Sequence, residues 1–208
     1  MAILQSKLFD GTKSDCGTRY LADRPDMYDL QRSNNFELIV EFDGDIPSVD
    51  YVTGTSEGQM FSESRAKEIL RLSVSSSFVP HFTQDAIKIR RGNNEMKFAG
   101  TPTYGSGTIK INDFIGLESK EALMAWQNLS YNARTEKVGL AKDYKKTCTL
   151  VEYRPDYSPV RSWTIYGAWV SGISEDDYNY DSNDRHQVSA TIEYDRAELT
   201  PYDPNENV

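Results

Sequence analysis

The 208-residue sequence predicts a mainly β fold with one flanking α-helix, an extended N-terminal arm and long loops. Three observations carry that expectation. β-Branched and aromatic residues, including 13 tyrosines, recur in short runs that alternate with polar ones, the period of a half-buried strand. Thirteen glycines and eight prolines punctuate those runs. A helical period stands out at one place only, near residues 119–128.

The elements follow in order. Residues 1–34 are polar and broken by Gly11, Gly17 and Pro25, yet carry Leu8, Phe9, Tyr20, Leu21, Met27, Tyr28 and Leu30. They read as an irregular arm that docks on another surface. Phe36, Leu38, Val40 and Phe42 share one face of a first strand. Residues 43–66 hold Gly44, Pro47, Gly54 and Gly58 and read as a long inserted loop, a length usually reserved for function or disorder. Ile69–Ser77 reads as a strand, because Leu70, Leu72 and Val74 alternate with Arg71, Ser73 and Ser75. Ala86–Arg91 and Glu95–Ala99 read as a hairpin about Gly92-Asn93-Asn94. Thr101–Gly107 reads as a loop and Thr108–Asp113 as a strand.

Ser119 suits the N-cap of the helix, and Ala122, Leu123, Trp126 and Leu129 form its apolar stripe. Such a helix must lie on a sheet. Residues 132–145 read as a basic-leaning loop. Lys146–Tyr153, Val160–Trp169 and Gln187–Tyr194 read as the closing strands, the last two separated by an acidic loop, Ser174–His186. Residues from Thr200 read as frayed. The chain thus divides into an arm (1–34), a β domain (35–199) with the insertion at 43–66, and a tail (200–208).

The net charge is −9, and it is uneven. Residues 171–208 hold ten acids against two bases, Arg185 and Arg196. That balance disfavours holding duplex DNA by counterion release, which needs clustered Lys and Arg. The basic cluster Lys88, Arg90, Arg91 and Lys97 falls on the hairpin and reads as a solvated face, or one that meets the acidic segment of a neighbour. No window approaches 18 consecutive apolar residues, so no transmembrane helix is expected. The N-terminus lacks a signal-peptide pattern. Cys16 and Cys148 make neither a disulfide framework nor a zinc spacing and are expected as free thiols of a reducing compartment.

Catalytic chemistry finds no constellation. His81 and His186 stand outside any metal-ligand or nucleophile motif. Asp177-Tyr178-Asn179-Tyr180-Asp181 opens like a calcium loop. Ser182 stands where that loop needs glycine and Val188 where it needs a bidentate Glu, so the segment reads as a solvated turn. No cofactor or metal is expected.

The order of elements, with Ala125-Trp126-Gln127 on the helix, Tyr144-Lys145-Lys146 entering a strand, Tyr166-Gly167-Ala168-Trp169, and Tyr180-Asp181-Ser182-Asn183 before the last strand, resembles the tail tube protein of contractile-tailed bacteriophages over residues 35–199. The tubes of type VI secretion and of pyocin-like particles are similar. The resemblance implies two packed antiparallel sheets, sandwich- or barrel-like, with a flanking helix. It implies a structural, non-enzymatic subunit whose hexameric rings stack into the hollow tube through which DNA is delivered during contraction. The implied partners are further copies of the chain, the tail sheath protein, baseplate and tail-terminator proteins, the tape measure protein and the DNA passing in the lumen, with synthesis in the host cytoplasm and residence in the virion tail. On this reading Asp176, Asp177 and Asp181 are candidate lumen or interface acids. Asp43, Asp45, Asp50 and Glu57 mark a candidate ring-stacking loop. The arm and the insertion are longer than the simplest family members require.

Two other readings stay open on sequence. A β-sandwich binding module, for carbohydrate or protein, would use Trp163 and Trp169, six apart and so on one strand face, as a stacking platform. A tube initiator or terminator would share the same pattern.

Overall fold

A computed structural model of the chain describes residues 30–47, 60–181 and 183–201. The mainly β fold is as expected. Its sheet is seven-stranded, antiparallel and curled. In chain order the strands are β1 (Phe36–Glu41), β2 (Ile46–Pro47), β3 (Met60–Phe61), β4 (Val74–Ser76), β5 (Phe82–Arg91), β6 (Asn94–Tyr104), β7 (Gly107–Asn112), β8 (Tyr131–Asn132), β9 (Lys137–Val138), β10 (Lys146–Tyr153), β11 (Pro159–Glu175), β12 (Gln187–Glu193) and β13 (Arg196–Pro201). The helices are α1 (Glu63–Ser73), α2 (Ser119–Ser130) and the single turn α3 (Ala141–Tyr144). The main sheet runs β1-β10-β11-β12-β7-β4, with β13 also on β11.

The 17 residues of β11 serve both halves of the sheet. Its first part lies between β10 and β13, and its last part pairs with β12. The two halves are therefore continuous through one strand and curl around a shared core, the barrel-like form of the expected packed sheets. The bend sits at Gly167, whose φ of +67° is open to glycine at little cost. Across the bend Asp195 donates its N–H to the Tyr166 carbonyl at 3.0 Å. Lys145 then closes the outside of the bend, its Nζ lying 2.7 and 2.8 Å from the two carboxylate oxygens of Asp195.

One apolar core fills the concave side. Leu38 and Val40 of β1, Cys148 and Leu150 of β10, Ile165, Ala168 and Val170 of β11, Val188, Ala190 and Ile192 of β12, and Ile109 and Ile111 of β7 all point into it. The two longer helices close it. Trp126 is 1% exposed, meets Phe42 edge-on at 5.7 Å, and donates its indole N–H to the Tyr144 carbonyl at 3.0 Å. A buried indole needs such an acceptor.

Several expectations are corrected. Only Val74–Ser76 of the expected strand Ile69–Ser77 is a strand, since Glu63–Ser73 is helical. The buried residues Ala66, Ile69, Leu70 and Ser73 recur at helical spacing, whereas Leu72, which made the alternation look strand-like, is exposed. Ser62 caps this helix by accepting the Arg65 N–H at 3.3 Å, and Glu63 favours its first turn. The fold thus has two flanking helices of several turns. The long loop is shorter than expected, because β2 pairs with β3 and α1 begins at Glu63. The expected loop Thr101–Gly107 shrinks to Gly105 and Ser106, as β6 continues to Tyr104 and β7 begins at Gly107. The 132–145 segment contains β9 and α3. Thr200 and Pro201 belong to β13, paired with Ser162 and Arg161, instead of a frayed end.

Ser119 does not cap α2. Glu118 takes the N-cap position at φ 53° without a side-chain capping bond, its carboxylate lying 2.6 Å from the Arg65 guanidinium instead. Ser119 is buried, its hydroxyl 2.6 Å from that of Ser73, which also donates to the Ile69 carbonyl at 2.7 Å. This hydroxyl pair joins the two helices.

Candidate assembly interface

Two features stand away from the core. The first is the hairpin β5–β6, whose strands of 10 and 11 residues are joined by the two-residue turn Gly92-Asn93. Every residue of β5 is exposed and β6 is nearly so. The expected hairpin is present and extends well beyond its expected ends, with Phe82 facing Tyr104.

Register sorts its side chains by face. Ile87 faces Phe98 and Ile89 faces Met96, giving an apolar face whose members are about half exposed. Lys88 faces Lys97 and Arg90 faces Glu95 on the opposite, basic face. Arg91 falls with the apolar set by strand alternation, so the expected single basic face holds for three of the four cations. Lys88 lies 3.7 Å from Glu95. Arg90 and Lys97 have no ion-pair partner among the described residues. A two-stranded hairpin in water is marginal by itself.

An aromatic cluster anchors the hairpin at its root. Phe82 meets Tyr104 at 5.8 Å, Tyr104 meets Tyr194 at 5.9 Å, and Phe78 stacks on Tyr194 at 5.5 Å. The Tyr194 hydroxyl bonds both backbone groups of His81. That gives His81 a structural place at the hinge.

The second feature is the acidic loop between β11 and β12. Asp176, Asp177 and Asp181 are exposed there and have no ion pair among the described residues. His186 fastens the base of the loop. Its Nδ1 lies 3.2 Å from Asp113 Oδ2, its Nε2 3.2 Å from the Asp176 carbonyl, and its ring stacks on Tyr178 at 4.6 Å. Asn179 accepts the Asp181 N–H at 2.9 Å, so its side chain shapes the turn. Among the described residues no three His, Cys, Asp or Glu side chains gather to hold a metal. Glu175, at the rim, pairs with Lys120 at 2.7 Å, and that hydrogen bond raises the Lys120 pKa.

Two acids of the inserted segment have intramolecular places. Asp43 lies 3.9 Å from the ammonium of Lys146, a lysine only 7% exposed. Asp45 accepts the Glu63 N–H at 3.3 Å, serving an orphan amide of α1. Asp50 and Glu57 lie outside the described residues, as do Cys16 and the arm through residue 29. Cys148 is a free, buried thiol whose pKa burial pushes up to about 12.

The tryptophan platform is not formed. Trp163 packs against the core, while Trp169 lies on the other face of β11 against Tyr144 at 5.7 Å. Gly167 adds one residue between the buried Ile165 and Ala168, which reverses the alternation, so residues six apart no longer share a face.

A curled sheet with a two-helix core, a projecting amphipathic hairpin and a separate acidic loop defines a structural building block whose polar and apolar surfaces lie ready for other protein surfaces. The profile of the T4-like virus tail tube protein gp19 family matches residues 36–198, and the chain belongs to that family. No curated protein matches the sequence. In fold, the chain is similar to a chain of the cryo-EM structure of an extracellular contractile injection system, the PVC sheath-tube complex in its extended state, with 18% identity, 87% of this chain and 97% of that one covered, and a TM-score of 0.57. It is likewise similar to a chain of the anti-feeding prophage baseplate (13% identity, 84% and 98% covered, TM-score 0.56) and to one of the anti-feeding prophage tube terminating cap (16%, 84% and 93%, 0.54). The family gives the chain a tail tube-type structural role.

Proposed function

We propose that this chain is the repeating subunit of a contractile tail tube: hexameric rings stack into a hollow conduit, inside a sheath, through which DNA passes to the host. The observation that carries this reading is the β5–β6 hairpin. Among the described residues its apolar face, Ile87, Ile89, Met96 and Phe98, has no cover, and its outer strand edges pair with no other strand. An exposed edge is a pairing template, and closure into a ring removes it. Membership of the tail tube family supports the same end. In the assembly the chain meets its own copies, the sheath protein, and the baseplate and terminator proteins, with the tape measure protein and then DNA in the bore. It acts by shape and charge without catalysis. Asp176, Asp177 and Asp181 belong either to the bore, where they repel phosphate, or to a contact between copies. The inserted segment ahead of α1 contributes to stacking.

Replacing Ile87 and Phe98 by Ser tests the reading. The double variant should stay folded, since neither side chain touches the core cluster, and should lose the capacity to polymerise. Rods formed as readily as by the unaltered protein would contradict it.

A further inference from the structure

The cations of the hairpin and the acids of the loop sit at opposite ends of one strand pair. β7 and β12 run antiparallel with Gly107 opposite Ile192 and Asn112 opposite Gln187. The hairpin joins at the Gly107 end, where Tyr194 clasps its root. The acidic loop joins at the other end, where Asp113 donates its N–H to the His186 carbonyl at 3.2 Å. Five residue steps along a strand separate the two ends by roughly 17 Å. Within the chain no ion pair links hairpin to loop among the described residues: Lys88 reaches only Glu95 of its own hairpin.

Opposite charges fixed at opposite ends cannot satisfy each other inside one molecule. They match when molecules meet head to tail, the arrangement that yields either a closed ring or an open stack. Resting on the tube-subunit reading, we propose that the basic face of the hairpin, Lys88, Arg90 and Lys97, seats on the acidic loop of a second copy, over Asp177 and Asp181. The contact sets the direction of assembly. A like-sign end presented to either element is repelled, so a head-to-head encounter is rejected. It also assigns the loop's exposed acids to the contact between copies, which leaves the bore to other residues. The apolar face of the hairpin then adds the non-directional part of the attraction.

A charge-swap experiment tests this. Arg90→Glu/Lys97→Glu is made in one preparation and Asp177→Lys/Asp181→Lys in another. All four side chains are exposed, and far-ultraviolet circular dichroism and thermal melts verify that both variants fold. Sedimentation velocity and light scattering then follow association of each variant alone and of the two mixed. Each alone should associate roughly tenfold or more weakly than the unaltered protein, and the mixture should recover, because the reversed hairpin now suits the reversed loop. The unaltered protein should also associate more weakly as salt rises from about 50 to about 500 mM.

Variants that assemble like the unaltered protein, or association indifferent to salt, would overturn the inference and leave the tube reading standing. Loss of assembly in both variants without recovery on mixing would show that these groups meet other partners and would likewise overturn it. An unaltered protein that remains monomeric at every concentration would overturn the tube reading, and this contact with it.

Discussion

The Tyr194 hydroxyl holds both backbone groups of His81, donating to the carbonyl at 3.1 Å and accepting the N–H at 3.2 Å. The pair fastens the hairpin to the end of β12 although the two residues are 113 apart in sequence. Tyr194→Phe keeps the ring contacts with Phe78 and Tyr104 and removes only the hydroxyl. The expected cost is about 1–3 kcal/mol, with the larger effect on hydrogen exchange of the His81 and Phe82 amides. Exchange at those amides unchanged from the parent protein would count against the clasp.

The Ser73–Ser119 hydroxyl pair should behave as a coupled unit. Ser119→Ala alone removes one partner in a buried site, and Ser73→Ala leaves the Ser119 hydroxyl unsatisfied there. Each single change is expected to cost about 1–3 kcal/mol, and the double change less than their sum. A denaturant-based double-mutant cycle measures the difference, and simple additivity would mean that the two hydroxyls are energetically independent.

Gly167→Ala should loosen the bend. The φ of +67° strains any residue with a Cβ, and the added methyl would run into the Asp195 carboxylate that Lys145 holds. A loss of about 1–3 kcal/mol is expected. Asp195→Ala alone should cost less, because its ion pair with Lys145 is at the surface. Equal losses would place the strain elsewhere than in the backbone.

These residues also mark how far the sequence could be read. β1, β7, β10, β12 and the stripe of α2 follow from alternation or helical spacing because each buries one face only. The helix at Glu63–Ser73 escaped because exposed Leu72 mimics a strand period over a short window, while its true signals were Ser62 and the spacing of Ala66, Ile69, Leu70 and Ser73. Trp163 and Trp169 were misassigned to one face because a one-residue bulge is invisible to period counting. β13 is short, polar and on an edge, so only its pairing with β11 defines it. At the interface, the hairpin cations and loop acids were visible as charges. Their placement at opposite ends of β7 and β12 depends on register, which no local pattern encodes.

Alkaline pH should destabilise the fold. Burial raises the Cys148 thiol from 9.0 to about 12. Burial, then the hydrogen bond to Glu37, raises the Tyr153 phenol from 10.0 to about 12. Both groups hold their protons longer when folded, so the unfolded chain loses protons first as pH rises. The stability they support is fully present below about pH 9 and declines towards about pH 12. Urea midpoints should fall across that window, and Cys148→Ser should remove the thiol's share of the pH dependence. A flat profile from about pH 9 to about pH 12 would contradict the assignment.

Removing residues 48–59 tests the insertion without cutting the core, because β2 and β3 carry the buried Ile46 and Phe61 and lie outside the deletion. With Asn-Gly put in place of the removed residues, so that Pro47 and Met60 stay paired across a two-residue turn, the shortened protein should fold with a melting temperature near that of the full chain, yet stack poorly. Normal rods from it would remove stacking from the roles of this segment.

Electron microscopy of the purified full-length protein in negative stain, across a concentration series, addresses self-assembly most directly. Closed rings with a central hole, and hollow rods of the same diameter at higher concentration, are the expected images. Isolated compact particles at every concentration, with none incorporated into the tail shaft of assembled particles, would contradict the account.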